Sequence, residues 1–268
     1  MPAMQRFEPY LDRWGLDPDG PALSTPRAML LPVRQAGRSA MLKISQEPEE
    51  VAGARLMAWW SGGGAAPVLA LDGPALLMAR ATGTRSLADM ARGGRDDEAT
   101  RILGAAAACL HRPRSGPRPA LVPLAQWFQP LLAREHGQAS LLGQCAATAR
   151  ELLEAPRDAV VLHGDIHHGN VLDFDEAGWL AIDPKGLHGE RGFDYANILC
   201  NPDHASALAP GRLARRLDIL AGASGIERRR LLQWVLAWCG LSAVWGIEDG
   251  DDPRVAMAVA QQAAAALG

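Results

Sequence analysis

A single segment, from His163 to Asp183, restricts what this chain of 268 residues can fold into more than any other stretch. It reads HGDIHHGNVLDFDEAGWLAID, in which a short apolar strand ends at His163 and Asp165 lies in the turn that follows. Asn170 comes five residues after Asp165, and a hairpin then leads to Asp183 at the end of a second strand. The spacing therefore predicts that two carboxylates and one amide converge at the mouth of one hairpin.

These three residue types are the minimal set for phosphoryl transfer from ATP. One acid accepts the proton of a hydroxyl group, and an Asn and a second acid hold Mg²⁺. Because Mg²⁺ prefers hard oxygen ligands and keeps several waters, two protein ligands suffice. The spacing matches the kinase catalytic loop H-x-D-x-x-x-x-N and its later metal-binding Asp. The segment predicts a phosphotransferase with Asp165 as base and with Asn170 and Asp183 as metal ligands.

The same segment also allows a metal-hydrolase interpretation, because it is dense in residues that bind metals: His163, Asp165, His167 and His168. The two adjacent histidines would point apart on a strand, which disfavours a shared metal. The hydrolase interpretation also leaves Asn170 and Lys43 without a role.

The first eighty residues predict a small β-rich lobe. Apolar runs separated by turns, and one helix that begins with acidic residues, give the order β-β-α-β-β, with an extra strand near residues 21–25. Gly37 makes the first turn, and Asp72-Gly73 joins the second pair of strands into a hairpin. The predicted strands are 27–34, 39–45, 67–71 and 75–79, and the predicted helix is 47–60.

Lys43 lies inside an apolar strand, where a charge is costly unless it is paired. The following helix carries three acids near its start, and Glu50 lies deeper in the helix than Glu47 and Glu49. We therefore predict a Lys43–Glu50 pair that places the ammonium group on the α- and β-phosphates of ATP. The alternative is a lysine that faces solvent from an edge strand.

The end of the last small-lobe strand is where the chain would cross to a second lobe. Backbone groups of Ala79 and Ala81 are predicted to bind the edge of adenine, and Met78 to line the back of its pocket. An ordinary core position for Met78 is the alternative. We predict an N-terminal nucleotide-binding lobe over residues 1–80 and a helical C-terminal lobe, with the catalytic loop and substrate site, over residues 81–268.

Beyond residue 82 the hydrophobic pattern becomes that of helices. Four prolines between residues 112 and 123 predict a loop. A small β-rich lobe followed by a larger, mainly helical one is an α+β architecture. The predicted helices are 97–111, 124–135, 139–154 and 227–247, with a last helix opened by Pro253, and the predicted strands of this part are 159–163 and 178–183.

Composition excludes several classes of function. The formal net charge of −3 leaves no basic field for nucleic acid. No run of about eighteen apolar residues occurs and the N-terminus lacks the apolar core of a signal peptide, so we predict no membrane span. The four cysteines form no C-x-x-C pair, which predicts reduced and mostly buried thiols. We expect a cytoplasmic protein and, since no long apolar surface stripe stands out, a monomer.

Three stretches around the hairpin resemble the aminoglycoside phosphotransferase family: LHGDIHHGNVL (162–172), WLAIDPKG (179–186) and GERGFDYAN (189–197). The H-G-D-x-H-x-x-N core is specific to the small-molecule kinase superfamily. The flanking stretches are most similar to the streptomycin 6-kinases, which are grouped with hydroxyurea kinases. The likeness covers most of the chain and includes LPVRQ (31–35), AMLK (40–43), EEVAG (49–53) and GLSAVW (240–245).

The resemblance implies a protein-kinase-like fold of two lobes. It implies Asp165 as the catalytic base, Asn170 and Asp183 as the Mg²⁺ ligands, and Lys43 with Glu50 as the group that holds ATP. The family reaction would move the γ-phosphate of ATP to the 6-hydroxyl of streptomycin, which inactivates the antibiotic. Two alternatives stay open. One is a kinase of another small cationic hydroxylated metabolite or antibiotic. The other is a nucleotide-binding protein without turnover, which the intact catalytic set disfavours.

The chain departs from protein kinases at several positions. LSTPR (23–27) stands in place of G-x-G-x-x-G, and backbone amides there or the hydroxyls of Ser24 and Thr25 are predicted to contact phosphate. Asp183 is followed by a proline, which fixes φ and disfavours a flipping activation segment. Gly164 replaces the arginine that reads an activation-loop phosphate in protein kinases. These departures favour a constitutive small-molecule kinase.

Streptomycin carries two guanidinium groups and an amine, so its site is predicted to be acidic. Trp238 and Trp245 are predicted to stack on guanidinium, although tryptophans at helical spacing and acidic loops also occur as core and solvated surface. Asp194 is predicted to brace the catalytic loop or to cap a helix, and Asp252 to cap the last helix. The candidate substrate residues besides Trp245 are Glu190, Asp203, Glu248, Asp249 and Asp251.

Overall fold

The N-terminal part of the chain folds into a sheet with a long helix beside it; the computed structural model describes residues 3–137 and 139–268. Its elements are α1 (Glu8–Trp14), β1 (Leu16–Pro18), β2 (Leu23–Ser24), β3 (Met29–Gln35), β4 (Arg38–Ile44), α2 (Pro48–Trp60), β5 (Val68–Asp72) and β6 (Ala75–Ala79). The six strands are antiparallel in the order β1-β3-β4-β6-β5, and β2 pairs with β3. The predicted strands and helix of this part are confirmed to within two residues, whereas α1 and β1 lie where the sequence predicts no element.

Alternation along β4 decides which way its lysine points. Leu42 and Ile44 are buried with Leu31 of β3 in one cluster of apolar side chains. Because successive strand residues face opposite sides of a sheet, Lys43 projects to the other side. Register places Lys43 opposite Leu30 and Leu76 at the centre of the sheet, which excludes the alternative of an edge-strand position.

The C-terminal part is mainly helical and is centred on one long buried helix. Its elements are α3 (Leu87–Arg92), α4 (Asp96–Leu110), β7 (Val122–Pro123), α5 (Leu124–Trp127), α6 (Gln129–Leu132), α7 (Leu141–Glu154), β8 (Ala159–Leu162), β9 (Val171–Asp173), β10 (Trp179–Ala181), β11 (Leu187–Glu190), α8 (Gly192–Ala196), α9 (His204–Ala207), α10 (Arg212–Ser224), α11 (Arg228–Asp249) and α12 (Arg254–Leu267). Helix α11 packs against α7, α8 and α12. Strands β9 and β10 form the predicted hairpin.

The prediction of one helix over 124–135 is wrong. The structure has two short helices there, and Phe128 both ends the first and precedes the second. Pro130 explains the break, because it has no N–H with which to continue the first helix, whereas in the first turn of the second helix this N–H is not required. Phe128 is fully buried at this corner.

Helix α11 is the one helix in the described ranges that is long and apolar enough to span a membrane by length and composition. Of its most apolar window, 61% is buried inside the protein, with Trp234, Val235 and Ala237 inaccessible to solvent. A helix that is apolar on all sides is typical of the centre of a globular core.

The predicted α+β class, with a small sheet lobe and a larger helical lobe, is confirmed. Strand β6 ends at Ala79 and α3 begins at Leu87, so the crossing between the two parts falls in this interval. The division of the chain at residue 80 into two domains stays a prediction.

An ion pair attaches the crossing segment to the hairpin. The Nε and guanidinium NH2 groups of Arg85 donate to the two carboxylate oxygens of Asp173 at 2.8 and 2.6 Å. The backbone N–H of Gly83 donates to the carbonyl oxygen of Asp173 at 3.0 Å. A Cβ on Gly83 would collide with the Asp173 side chain, so this close approach requires glycine. The crossing segment and the hairpin that presents the catalytic residues are thereby held together.

Asp173 makes folding sensitive to acid. Hydrogen bonds from Arg85 lower the pKa of Asp173 to about 2, from 3.8 when unpaired. A carboxylate whose pKa is lower in the folded than in the unfolded state stabilises the folded protein at pH values above the unfolded pKa. This contribution to the free energy of unfolding is lost as the pH falls through the folded pKa. Urea unfolding of Asp173→Asn is therefore expected to show reduced stability at neutral pH and a smaller loss between about pH 4 and pH 2. The exposed Asp12→Asn serves as control; a pH dependence identical to wild type in Asp173→Asn would contradict the assignment.

Candidate active site

The catalytic loop after β8 is shaped by one buried carboxylate. Asp194 accepts the backbone N–H groups of His163 and Gly164 at 2.9 and 2.7 Å and binds His111 Nε2 at 2.8 Å. Burial acts to raise the pKa of Asp194, but the hydrogen bond and charge of His111 outweigh it and hold the pKa below its usual range. Gly164 has φ +87°, and a Cβ there would lie 2.8 Å from Leu187 Cδ1, so the turn requires glycine. The predicted bracing role of Asp194 is confirmed.

Asp165 lies between two amide donors. Its Oδ1 accepts from Asn197 Nδ2 at 2.8 Å, and its Oδ2 accepts from Asn170 Nδ2 at 3.2 Å. Its side chain is 28% exposed, so part of the carboxylate remains open to the cleft. This arrangement orients a proton acceptor without occupying all of its lone pairs.

Asn170 and Asp183 offer oxygen ligands on the same hairpin. The Asn170 amide nitrogen donates to Asp165, which leaves its Oδ1 available for a cation. The N–H of Ile182 donates to the carbonyl oxygen of Asn170 at 2.9 Å, so Asp183 follows directly after the strand pairing ends. Its backbone adopts φ +66°. One carboxylate and one amide oxygen fit the hard-ligand preference of Mg²⁺.

Lys43 pairs with its predicted partner, Glu50, and also with Asp183, which was not predicted as a partner. Its Nζ contacts Glu50 Oε2 and Asp183 Oδ1, and the three side chains are 12%, 7% and 34% exposed. Burial acts to raise the pKa of Asp183, but the charge and hydrogen bond of Lys43 outweigh it and lower that pKa. The predicted Lys43–Glu50 pair is confirmed.

Helix α2 approaches the metal-binding segment closely. A Cβ on Gly53 would collide with the carbonyl oxygen of Pro184, so only glycine permits this distance between the helix and the segment after Asp183. Gly53 lies about one helical turn after Glu50. The close approach of Gly53 to Pro184 therefore fixes the position of Glu50 relative to Lys43.

A second buried lysine, Lys185, lies in the same cluster and was not predicted. Its Nζ is 3.3 Å from Glu49 Oε1, 3.9 Å from Glu50 Oε1 and 3.9 Å from Asp165 Oδ2. Burial acts to lower the pKa of Lys185, but the charges of Asp165, Asp183 and the two glutamates outweigh it and raise that pKa. The sequence signal was the Pro-Lys that replaces Phe-Gly after the metal-binding Asp.

A cleft of about 920 Å³ opens onto Asp165 and is lined by both lobes. Trp127 and Trp245 meet edge to face on its wall, with ring centroids 5.4 Å apart. Of the predicted substrate residues, Trp238, Trp245 and Asp249 line this cleft, and Trp127 lines it without having been predicted. Further lining residues are Thr25, Pro26, Arg27, Val122, Gln126, Pro130, His167, Asn197 and Asn201.

Four predicted substrate acids lie elsewhere, and these predictions are corrected. Glu190 is 3% exposed and accepts from Arg230 at 2.6 Å and from Trp234 Nε1 at 2.7 Å, so its oxygens are committed to the core. Asp203 caps α9 through the N–H of Ser206 and binds Arg92. The remaining two stand on the surface outside the cleft: Glu248, which pairs with Arg134, and Asp251.

The predicted nucleotide residues surround the sheet side of the site. Thr25 lines the cleft, but its Oγ1 already accepts the N–H of Ala28 at 3.0 Å and closes a turn. Met78 is buried, beside Lys43. The N–H of Ala79 donates to the carbonyl oxygen of Pro67 at 2.9 Å, so this N–H is already bonded, and the contact of Ala79 with adenine stays a prediction. Roles for the exposed Ser24 and the half-buried Ala81 stay predictions.

The metal-hydrolase interpretation finds no ligand cluster. Across residues 3–137 and 139–268, no three His, Cys, Asp or Glu side chains are grouped to hold a metal ion. His163 Nε2 bonds to the carbonyl oxygen of Ile182, and its Nδ1 accepts the N–H of Asp165.

Comparisons with known proteins agree with this geometry. A family model described as "Aminoglycoside/hydroxyurea antibiotic resistance kinase" matches residues 13–250. The chain is 55% identical to a Klebsiella pneumoniae protein named streptomycin 3″-kinase, over 90% of this chain and 92% of the relative. It is 34% identical to a streptomycin 6-kinase of Streptomyces griseus, over 90% and 81%.

A solved structure of the aminoglycoside phosphotransferase APH(4)-Ia shares the fold, with a TM-score of 0.67 at 15% identity over 97% of each chain. The protein-kinase-like fold is thereby confirmed. The family match, the relatives and the Asp165 site lead to one conclusion: the chain belongs to the aminoglycoside/hydroxyurea antibiotic resistance kinases and is a phosphotransferase that acts on a hydroxyl acceptor.

Proposed function

We propose that this protein transfers the γ-phosphoryl group of ATP to a hydroxyl group of streptomycin and so confers resistance. The observation that carries the proposal is Asp165, held between two amides and open to a cleft. The relatives named streptomycin kinases supply the acceptor. The enzyme works as a monomer in the cytoplasm, where its nucleotide is available.

Each residue of the site has a separate role in the proposed phosphoryl transfer. Asp165 accepts the proton of the acceptor hydroxyl as that oxygen attacks phosphorus. Lys43, fixed by Glu50, binds the α- and β-phosphates, while Asn170 and Asp183 hold Mg²⁺. Bound Mg²⁺ and ATP supply charge neutralisation and the transferred group. Because phosphoryl transfer leaves the protein little covalent chemistry to perform, catalysis is mostly positioning and electrostatics.

Which hydroxyl reacts separates two versions of the proposal. The 55% identity to a streptomycin 3″-kinase favours the 3″-hydroxyl. The 6-hydroxyl, expected from the sequence motifs, is supported by 6-kinase relatives at 34% and 32% identity. The 3″-hydroxyl is the first choice because the higher identity extends over nearly the whole of both chains.

Measuring ADP release identifies the acceptor, and NMR of the product identifies which hydroxyl group is phosphorylated. Purified protein with Mg-ATP is mixed with streptomycin, kanamycin, hydroxyurea or no acceptor, and ³¹P–¹H correlation of the product identifies the phosphorylated carbon. We expect release with streptomycin above the acceptor-free rate and a 3″-phosphate. A 6-phosphate would overturn the regiochemistry alone, whereas release only with another acceptor would overturn streptomycin.

The cleft wall is expected to bind the cationic acceptor. Asp249 and Trp245 can pair with and stack on a guanidinium group. We expect Asp249→Asn and Trp245→Ala each to raise KM for streptomycin by about tenfold, since a hydrogen bond to a charged group contributes about 1.5–3 kcal/mol and stacking of a cation on an aromatic ring up to about 2 kcal/mol. KM for ATP stays unchanged. Asp251→Asn, outside the cleft, is the matched control, and an equal effect in it would contradict a specific role for Asp249.

A further inference from the structure

Lys185 is a positively charged residue in the site that has no role in the mechanism proposed above. Its side chain is only 14% exposed, and it lies among carboxylates of α2 and the catalytic loop. A buried lysine is costly unless its charge is compensated. Here Glu49 Oε1 lies nearest to Nζ, at 3.3 Å, and Glu50 Oε1 and Asp165 Oδ2, an oxygen of the proposed base, each lie 3.9 Å away.

The backbone of Lys185 is fixed to the catalytic loop. Its N–H donates to the carbonyl oxygen of His163 at 2.7 Å. A Cβ on Gly164 would lie 3.0 Å from Lys185 Cβ, so the absence of a side chain at Gly164 makes space for this lysine. The stem of Lys185 therefore starts from a fixed point beside the base, and only its end is free to move between partners.

The two lysines of the site have different neighbours. Lys43 contacts Glu50 and Asp183, and Asp183 is one of the proposed Mg²⁺ ligands. Lys185 contacts Glu49, Glu50 and Asp165, and Asp165 is the proposed base for the acceptor hydroxyl. Glu50 is shared, since its Oε2 faces Lys43 and its Oε1 faces Lys185. Two cations are thus held side by side, one towards the nucleotide phosphates and one towards the base.

We propose that Lys185 is a catalytic residue whose ammonium group binds the γ-phosphoryl group as it passes to the acceptor oxygen beside Asp165. The inference rests on the proposed phosphotransferase function. In the step, a bond forms between the acceptor oxygen and the γ-phosphorus, and the bond from that phosphorus to the β–γ bridging oxygen breaks. The hydroxyl proton goes to Asp165, and the bridging electron pair leaves with ADP. Lys185 keeps its proton and neutralises the equatorial oxygens throughout.

The affinities for ADP and AMP-PNP distinguish a lysine that binds the γ-phosphoryl group from one that only anchors the nucleotide. ADP has no γ-phosphate and AMP-PNP has one, so a lysine that contacts the γ-phosphoryl group affects only the second. For Lys185→Met we expect unchanged affinity for ADP, about tenfold weaker binding of AMP-PNP, and a kcat lower by roughly 10²–10³-fold. Lys43→Met is the comparison and is expected to weaken both nucleotides. Lys185→Arg, which keeps the charge but not the compact ammonium group, is expected to recover part of kcat.

Turnover is measured both with streptomycin and as ATP hydrolysis without acceptor, so an error in the acceptor does not affect the test. Full kcat in Lys185→Met, or equal loss of ADP and AMP-PNP binding with an unchanged Tm, would overturn the proposal. If Tm falls in Lys185→Met, the comparison is made with Lys185→Gln, which also removes the charge, and an unchanged ratio of AMP-PNP to ADP affinity with unchanged kcat in that variant would contradict the proposal. If wild type releases no ADP with streptomycin above the acceptor-free rate, the proposed function fails, and the nucleotide affinities still test the lysine.

Discussion

Replacing Asp165 by alanine is expected to lower kcat by roughly 10²–10⁴-fold, the range that general-base catalysis contributes. The physical reason is that the acceptor hydroxyl loses the group that takes its proton as the new bond to phosphorus forms. ADP binding is expected to change little, because the contacts of Lys43 with Glu50 and with Asp183 do not involve Asp165. The measurement is kcat by coupled ADP release, with ADP affinity by calorimetry.

Asp165→Asn makes the test sharper. Asparagine keeps the shape of the side chain and loses its basicity, so activity as low as that of Asp165→Ala identifies basicity as the lost property. Asp175→Asn, at the far end of the hairpin, is the matched control, because Asp175 contacts Thr82 and lies away from the cleft. Near-normal turnover in both Asp165 variants would exclude this residue as the base.

The second large effect is expected from Asp183→Ala. This change removes one of two proposed Mg²⁺ ligands and one of the two carboxylates that Lys43 contacts. A metal ion contributes several kcal/mol to stabilising transferred charge, so kcat is expected to fall on the order of 10³-fold. The affinity for ADP is also expected to become independent of Mg²⁺.

ADP titrations in Mg²⁺ and in EDTA measure that second effect directly. Wild type is expected to bind ADP more tightly with Mg²⁺, and Asp183→Ala equally in both. Asp165→Ala is the control, since it keeps both ligands and its Mg²⁺ dependence should match wild type. A persistent advantage of Mg²⁺ in Asp183→Ala would show that other groups hold the metal.

The sequence was most informative where function is encoded locally. Asp165, Asn170 and Asp183 lie on one loop and hairpin, so their spacing alone predicted that they meet. Lys43 and Glu50 are separated by one strand end and one helical turn, and charge in an apolar strand predicted their pairing. Such contacts need little knowledge of the tertiary fold.

Contacts between distant segments could not be read in this way. Asn197 reaches Asp165 from the 3₁₀ turn after α8, and nothing in its local sequence distinguishes it from a helix-capping amide. Glu190 was predicted as a substrate ligand because it follows the metal-binding Asp closely. Its actual partners, Arg230 and Trp234, lie some forty residues further along the chain, on α11.

The close approach of α2 at Gly53 has a consequence for how a cell is protected. Protein kinases that are switched on and off do so by moving the equivalent helix away from its lysine. Here the close approach of Gly53 to Pro184 and the contacts of Glu50 with both lysines fix that helix against Lys43. An activating movement of this helix is then not required, and the phosphorylating capacity of a cell is expected to follow the number of enzyme molecules that it synthesises.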